Sequence, residues 1–209
     1  MAIEAVKAYF RQYGREKDIR ELAESSATVE LAAQAVGVIP ARIAKTLSFH
    51  GETGCILVVT AGDAKVDNAK FKAEFGLKAR MLTPEEALAQ TGHAVGGVCP
   101  FGIDNLQVKT YLDISLQRFD TVFPACGSGN SAIELTCDEL YHYSRGESGW
   151  MSAKTGGSNQ DPPQSSPLVP RSCFGKGLLD RFIKKNKKDQ ARQLLSEKQI
   201  GRQALPGML

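Results

Sequence analysis

Six consecutive residues, Cys55-Ile56-Leu57-Val58-Val59-Thr60, carry no charge and no polar alternation. A run this short bounded by turn residues is a strand, and its lack of alternation means burial on both faces. The chain must therefore build a sheet with cover on each side of this strand. Residues 43–49 form a second apolar strand pattern, separated from the first by a turn at 51–54 that contains Gly51 and Gly54.

Helices punctuate the rest. Ala5, Val6, Tyr9, Phe10 and Tyr13 recur at helical spacing, with Gly14 as a stop. Thr28 is placed to cap a short helix over 29–36, which Gly37 ends. Residues 67–75 read as a helix closing before Gly76. Thr83-Pro84-Glu85-Glu86 and Thr136-Cys137-Asp138-Glu139 are two capping boxes, opening helices that run to about Gln90 and Tyr143. Further strands are expected over 19–22, 79–82, 108–114, 121–123 and 132–135. Strands and short helices mix without a regular βαβ period, so residues 1–148 read as one α+β domain.

Composition excludes several classes. With 42% hydrophobic and 23% charged residues in 209, the chain is neither disordered, collagen-like nor a disulfide-rich miniprotein. No uninterrupted apolar run is long enough to span a bilayer, and no secretory leader pattern opens the sequence. Five scattered cysteines without a CxxC motif fit reduced thiols in a cytoplasm.

The net charge of +3 is unevenly spread. Residues 1–148 hold 15 basic and 19 acidic residues, net −4, whereas 149–209 hold 11 and 4, net +7. Residues 149–177 are rich in Gly, Pro and Ser and read as a linker. Residues 178–209 form a basic, partly helix-patterned and flexible tail. Within the linker, Leu168-Val169-Pro170-Arg171-Ser172 resembles a thrombin-type protease site of expression vectors, although the following Gly is missing. Three readings of the extension stand open: a non-native addition, a basic arm for RNA phosphates, or a membrane-surface helix.

The residues that carry chemistry are few. There is no phosphate-binding P-loop and no GxSxG elbow, and His50, His93 and His142 stand alone, so neither a metal nor a cofactor is expected. Two glycine loops remain. Gly96-Gly97-Val98-Cys99-Pro100-Phe101-Gly102 lets a backbone approach a ligand closely, with Pro100 stiffening the turn; Ala125-Cys126-Gly127-Ser128-Gly129-Asn130 does the same. For either loop taken alone, a plain tight turn is the favoured reading. Lys45 alternates onto the apolar face with Ile43, Leu47 and Phe49. An ammonium there needs a partner or a pocket, unless its stem snorkels out at the strand end. Cys99 reads as a packed thiol.

Taken in order, Thr28 before an Ala-rich helix, Lys45-Thr46-Leu47 on a strand, Val58-Val59-Thr60-Ala61-Gly62-Asp63, Gly96-Gly97-x-x-Pro100, and Gly127-Ser128-Gly129 ahead of Ala132-Ile133-Glu134-Leu135 resemble the YbaK/EbsC/ProX-type proteins. These are aminoacyl-tRNA deacylases similar to the editing domain inserted in some prolyl-tRNA synthetases. The resemblance covers residues 1–148. It implies a curved, partly barrel-like mixed β-sheet flanked by short helices. It implies a cytoplasmic trans-editing hydrolase that serves translation fidelity by removing a misattached amino acid from tRNA, tRNA(Pro) in many members. Lys45 matches the essential lysine, and Gly96 and Gly97 match the loop whose backbone holds the aminoacyl ester. Thr28 and Pro100 match pocket positions, and Gly127 and Ser128 the second loop. The expected partners are the 3′-terminal adenosine end of an aminoacyl-tRNA and a prolyl-tRNA synthetase, with no membrane.

The chain departs from the pattern where YbaK-like members carry Ser and Asp, at Ala125 and Ala132. Ser128 is a candidate to supply the missing hydroxyl. The two alanines also admit a catalytically silent module that binds aminoacyl-adenosine or a nucleotide.

Overall fold

The unbroken apolar run becomes the middle of the sheet. The computed structural model describes residues 2–23 and 26–146 and the backbone of 150–151. In chain order the elements are α1 (Ala2–Arg11), β1 (Arg20–Glu21), α2 (Val29–Val36), β2 (Ile43–His50), β3 (Cys55–Ala61), α3 (Asn68–Phe75) and α4 (Pro84–Thr91). After these come β4 (Val108–Asp113), β5 (Thr121–Pro124), β6 (Ser131–Ala132), β7 (Leu135–Thr136), α5 (Cys137–Tyr143) and β8 (Trp150–Met151). The main sheet has the order β7-β5-β2-β3-β4-β8, and β1 pairs with β6 apart from it. Strand pairs of both senses occur: β3 runs antiparallel to β2 and parallel to β4. The result is a curled, mixed half-barrel sheet flanked by five short helices.

Every residue of β3 is buried, for the reason its composition gave. On one face Val59 and Ala61 join Val6, Tyr9 and Phe10 of α1 and Leu140 and Tyr143 of α5. On the other, Ile56 and Val58 meet Phe49 and Phe71. Each such aliphatic side chain contributes about 1.5–3 kcal/mol when removed from water. Phe10 is fully buried, and its ring meets those of Phe101 at 4.9 Å and Tyr143 at 5.2 Å. It thereby ties α1, the first glycine loop and α5 into one core.

The helix starts follow their caps. The Thr28 hydroxyl accepts the Leu31 N–H at 3.2 Å, and both capping boxes close, around Thr83 and Thr136. The Asp67 carboxylate accepts the N–H groups of Ala69 and Lys70, so the third helix begins one residue later than its sequence pattern indicates.

Three strand expectations change. Residues 79–82 make no strand; Met81 forms a single bridge with Phe49, because only Arg80 and Leu82 reach the β2 backbone. Residues 132–135 split between β6 and β7. The chain there leaves β1, and the Ile133 N–H donates to the Pro124 carbonyl before β7 joins β5. Trp150 and Met151, within the sequence-read linker, form β8 on the β4 edge. The remainder of that linker (149–177) and the basic tail (178–209) lie outside the described residues.

Truncating Phe10 to Ala is expected to lower unfolding stability by about 3–5 kcal/mol, read as a reduced urea midpoint with unchanged slope.

Candidate active site

β2 changes partner along its outer edge. Its ladder with β5 holds only Ile43 and Ala44. Further on, the His50 N–H donates to the Arg80 carbonyl at 2.9 Å, and the Leu82 N–H to the Ser48 carbonyl at 3.0 Å. Backbone groups alternate edges along a strand, so Thr46 shares the outer edge with Ser48 and His50. It falls between the two partners. A pocket of about 330 Å³ opens in this gap, bounded by Lys45, Thr46 and Leu47, by Met81 and Leu82 on one flank, and by Phe123 and Ala125 on the other. The start of α2 and the first glycine loop, through Thr28 and Gly96, complete it.

Lys45 is the one charged side chain among the described residues that line this pocket. Its Nζ donates to the Gly62 carbonyl at 2.8 Å. Burial pushes the ammonium below the ordinary lysine value of 10.5, and the negative charge of Asp63 works against that shift. Asp63 is itself held by Arg118, which keeps its carboxyl below the usual range. Gly62 is needed at this corner. A Cβ there would lie 2.1 Å from the Pro40 carbonyl oxygen and 2.6 Å from Val29 Cγ1. The absent side chain lets the carbonyl that holds Lys45 tuck under α2.

The expected site residues divide. Thr28, Lys45 and Gly96 line the pocket together. The Gly97 N–H is taken by the Ala94 carbonyl at 2.9 Å. Gly97 instead sets a spacing: a Cβ on it would stand 2.7 Å from the Ser128 backbone, so the two glycine loops pack back to back. Among the described residues no acceptor takes the Gly96 N–H. The Ser128 hydroxyl donates to Asn130 Oδ1 at 2.9 Å and lies 2.8 Å from Ser131 Oγ, and Ser131 rather than Ser128 lines the pocket. Gly127 packs behind, against the backbone of Ala2 and Ile3. Pro100 faces a separate polar cleft with Tyr9, Tyr143 and Arg145.

Cys99 is buried 3.7 Å from His93 Nδ1, a pairing the sequence spacing does not reveal. Burial pushes its thiol up to about 12 and the His93 imidazole down, so the pair holds no thiolate for attack. Among the described residues no group of three or more His, Cys, Asp or Glu is placed to hold a metal ion.

Sequence reasoning missed the hydroxyls. Ser26, Thr46, Ser48 and Ser131 all line the pocket. Thr46 Oγ1 is closed from solvent and, among the described residues, has no hydrogen-bond partner. A buried hydroxyl left unpaired costs about 1–3 kcal/mol. Its position directly after Lys45 was the only sequence signal available.

Two measurements check this geometry. In side-chain NMR the Lys45 ammonium is expected to lose its proton at lower pH than the exposed lysines, because burial disfavours the charged form. Thr46→Val keeps the shape and removes the orphaned hydroxyl, so its melting midpoint is expected to equal or exceed that of the wild type.

Comparison with known proteins gives the family. A family model described as the aminoacyl-tRNA editing domain matches residues 23–142. The Bacillus subtilis uncharacterized protein YwhH is 58% identical over 145 residues, spanning 69% of this chain and 92% of that protein. The proline–tRNA ligase of Thermotoga maritima is 32% identical over 113 residues, 53% of this chain but 20% of the ligase. Among solved structures, a candidate trans-editing enzyme for prolyl tRNA synthetase superposes with a TM-score of 0.66 at 30% identity, covering 73% of this chain and 98% of its own. The pocket at the interrupted edge of β2 thus lies within the matched segment, and the chain belongs to the aminoacyl-tRNA editing domain family.

Proposed function

We propose that the chain is a trans-acting deacylase that hydrolyses the ester of a misacylated tRNA, with tRNA(Pro) as carrier. The observation that carries this reading is Lys45, an ammonium fixed by the Gly62 carbonyl inside an otherwise uncharged pocket beside Gly96. An aminoacyl ester is already reactive, so positioning and charge stabilisation suffice without a protein nucleophile. Water adds to the ester carbonyl carbon, and the carbonyl oxygen becomes an oxyanion facing Lys45 and the Gly96 N–H. Collapse breaks the bond to the ribose oxygen, which takes one proton of the water; the other passes to solvent, and the amino acid leaves as its carboxylate. The Gly97 N–H, already bonded to Ala94, supports the loop and not the oxyanion.

The choice of tRNA(Pro) rests on the similarity to part of a proline–tRNA ligase and to the trans-editing structure. Residues 1–148 carry net −4, which is poor for grasping an RNA backbone unaided. A prolyl-tRNA synthetase is the partner that would hand over the tRNA, in the cytoplasm where charging occurs. No described helix is long and apolar enough to cross a membrane.

One observation favours a second reading. Ala125 and Ala132, which stand where YbaK-like relatives carry Ser and Asp, both line the pocket. A site stripped of those groups is what a silent binder of aminoacyl-adenosine or a nucleotide would have.

A deacylation panel separates the two. The protein is incubated with tRNA(Pro) charged with Cys, Ala or Ser, and release of the labelled amino acid is followed. The deacylase reading expects release from at least one, slowed about 100-fold or more by Lys45→Ala. No release from any of the three supports the silent binder, and a wild-type rate for Lys45→Ala removes the lysine from the mechanism.

A further inference from the structure

We propose that Arg20 and Arg42 form a phosphodiester site on the outer wall of the pocket, taking the single-stranded RNA backbone next to the bound ester. This rests on the reading of the pocket as an aminoacyl-tRNA site. Three independent ties place the pair at that wall. Both guanidiniums lie over the ring of Phe123, Arg42 at 5.1 Å and Arg20 at 5.9 Å, and Phe123 lines the pocket. Arg20 is the register partner of Ala132, and Arg42 immediately precedes Ile43; both neighbours line the pocket too.

Charge and geometry favour an anion there. The two cations share one carboxylate, Glu134, at 3.3 Å from Arg20 and 3.5 Å from Arg42. Elsewhere on this surface Arg11 meets Glu16 at 2.5 Å, so the Glu134 contacts are loose by comparison. Glu134 also accepts the Thr121 hydroxyl at 2.7 Å. The adjacent Glu21 is bonded to Lys7 at 2.6 Å, and Lys7 also meets Glu4 at 3.4 Å. Arg20, Arg42 and Glu134 alone set two guanidiniums against one carboxylate, so the contact leaves guanidinium donors over for an anion.

Arg42 spends its Nε on the Thr121 carbonyl at 3.1 Å and its Nη2 on Thr121 and Glu134. Among the described residues Arg20 donates through Nη2 alone, and its side chain is 53% exposed. Each guanidinium carries five N–H donors in a planar fork suited to phosphate oxygens. The Phe123 ring holds both guanidiniums at one wall by cation–π attraction, which keeps them near each other before a phosphate arrives. As a stabilising device the cluster has little worth, since half-exposed ion pairs contribute little.

The test compares two substrates with the full-length chain. One is the mischarged tRNA that the wild type cleaves; the other is the same amino acid esterified to adenosine, which has no phosphate. In Arg20→Gln/Arg42→Gln the loss is expected on tRNA alone, about tenfold in kcat/KM and carried by KM. The dependence of log KM on log salt is expected to flatten by about 0.7 per lost phosphate contact. Glu134→Gln removes the competing carboxylate and is expected to lower KM for tRNA, the opposite direction to any loss of packing. Equal losses on both substrates, an unchanged salt slope, or a raised KM in Glu134→Gln would overturn the site. A wild type that cleaves neither substrate would overturn the deacylase reading instead; the salt slope of uncharged tRNA binding then tests the arginines separately. Arg20→Gln alone, at an exposed position, keeps the experiment decisive if the double variant does not fold.

Discussion

The interrupted outer edge of β2 is the constraint from which the site follows. A sheet edge left open over a few residues holds unpaired backbone groups, which proteins cover or put to use. Here β5 pairs with one end of β2 and the 80–82 segment with the other. The space between them is a pocket walled by structures that are themselves fixed at both ends. β3 makes this possible: buried along its whole length, it anchors β2 through the full ladder from Ala44 to His50. The edge can stay open on one side because the other is secured.

Lys45 shows what that scaffold sustains. A half-buried ammonium is unfavourable by itself, and burial already weakens its hold on the proton. It is kept in place by a chain of contacts: Lys45 to the Gly62 carbonyl, Asp63 next in sequence, and Arg118 on Asp63. The missing side chain of Gly62 is as much a part of this as the charges are. An unpaired Thr46 hydroxyl beside Lys45 adds a second local cost. The well-covered sheet around them offsets both local costs.

What the sequence made legible was governed by local rules. The apolar run of β3, the Thr28 cap and both capping boxes act within a few residues, so their patterns carried over into the structure. Lys45 stood out because a charge on an apolar strand face is conspicuous. The short pairings did not read well. Residues 79–82 have strand composition, yet only a bridge at Met81 forms, because a neighbouring edge and not propensity decides pairing. The same held for residues 132–135. Pocket membership was the least legible. Ser128 and Ser131 are three residues apart in one turn, and only the path of the chain decides that Ser131 faces inward. His93 meets Cys99 by folding and not by spacing.

The back-to-back glycine loops have a consequence of another kind. Gly97 and Ser128 touch through their backbones with no side chain between them. The partition they form is therefore as thin as two main chains permit. It has no layer of rotamers to absorb a disturbance, so strain on one side passes to the other. One loop carries Gly96 at the pocket, and the other leads into Ser131 and Ala132. The two sides of the cavity are thus mechanically a single part. Pocket width is set by the joint and not by either loop alone.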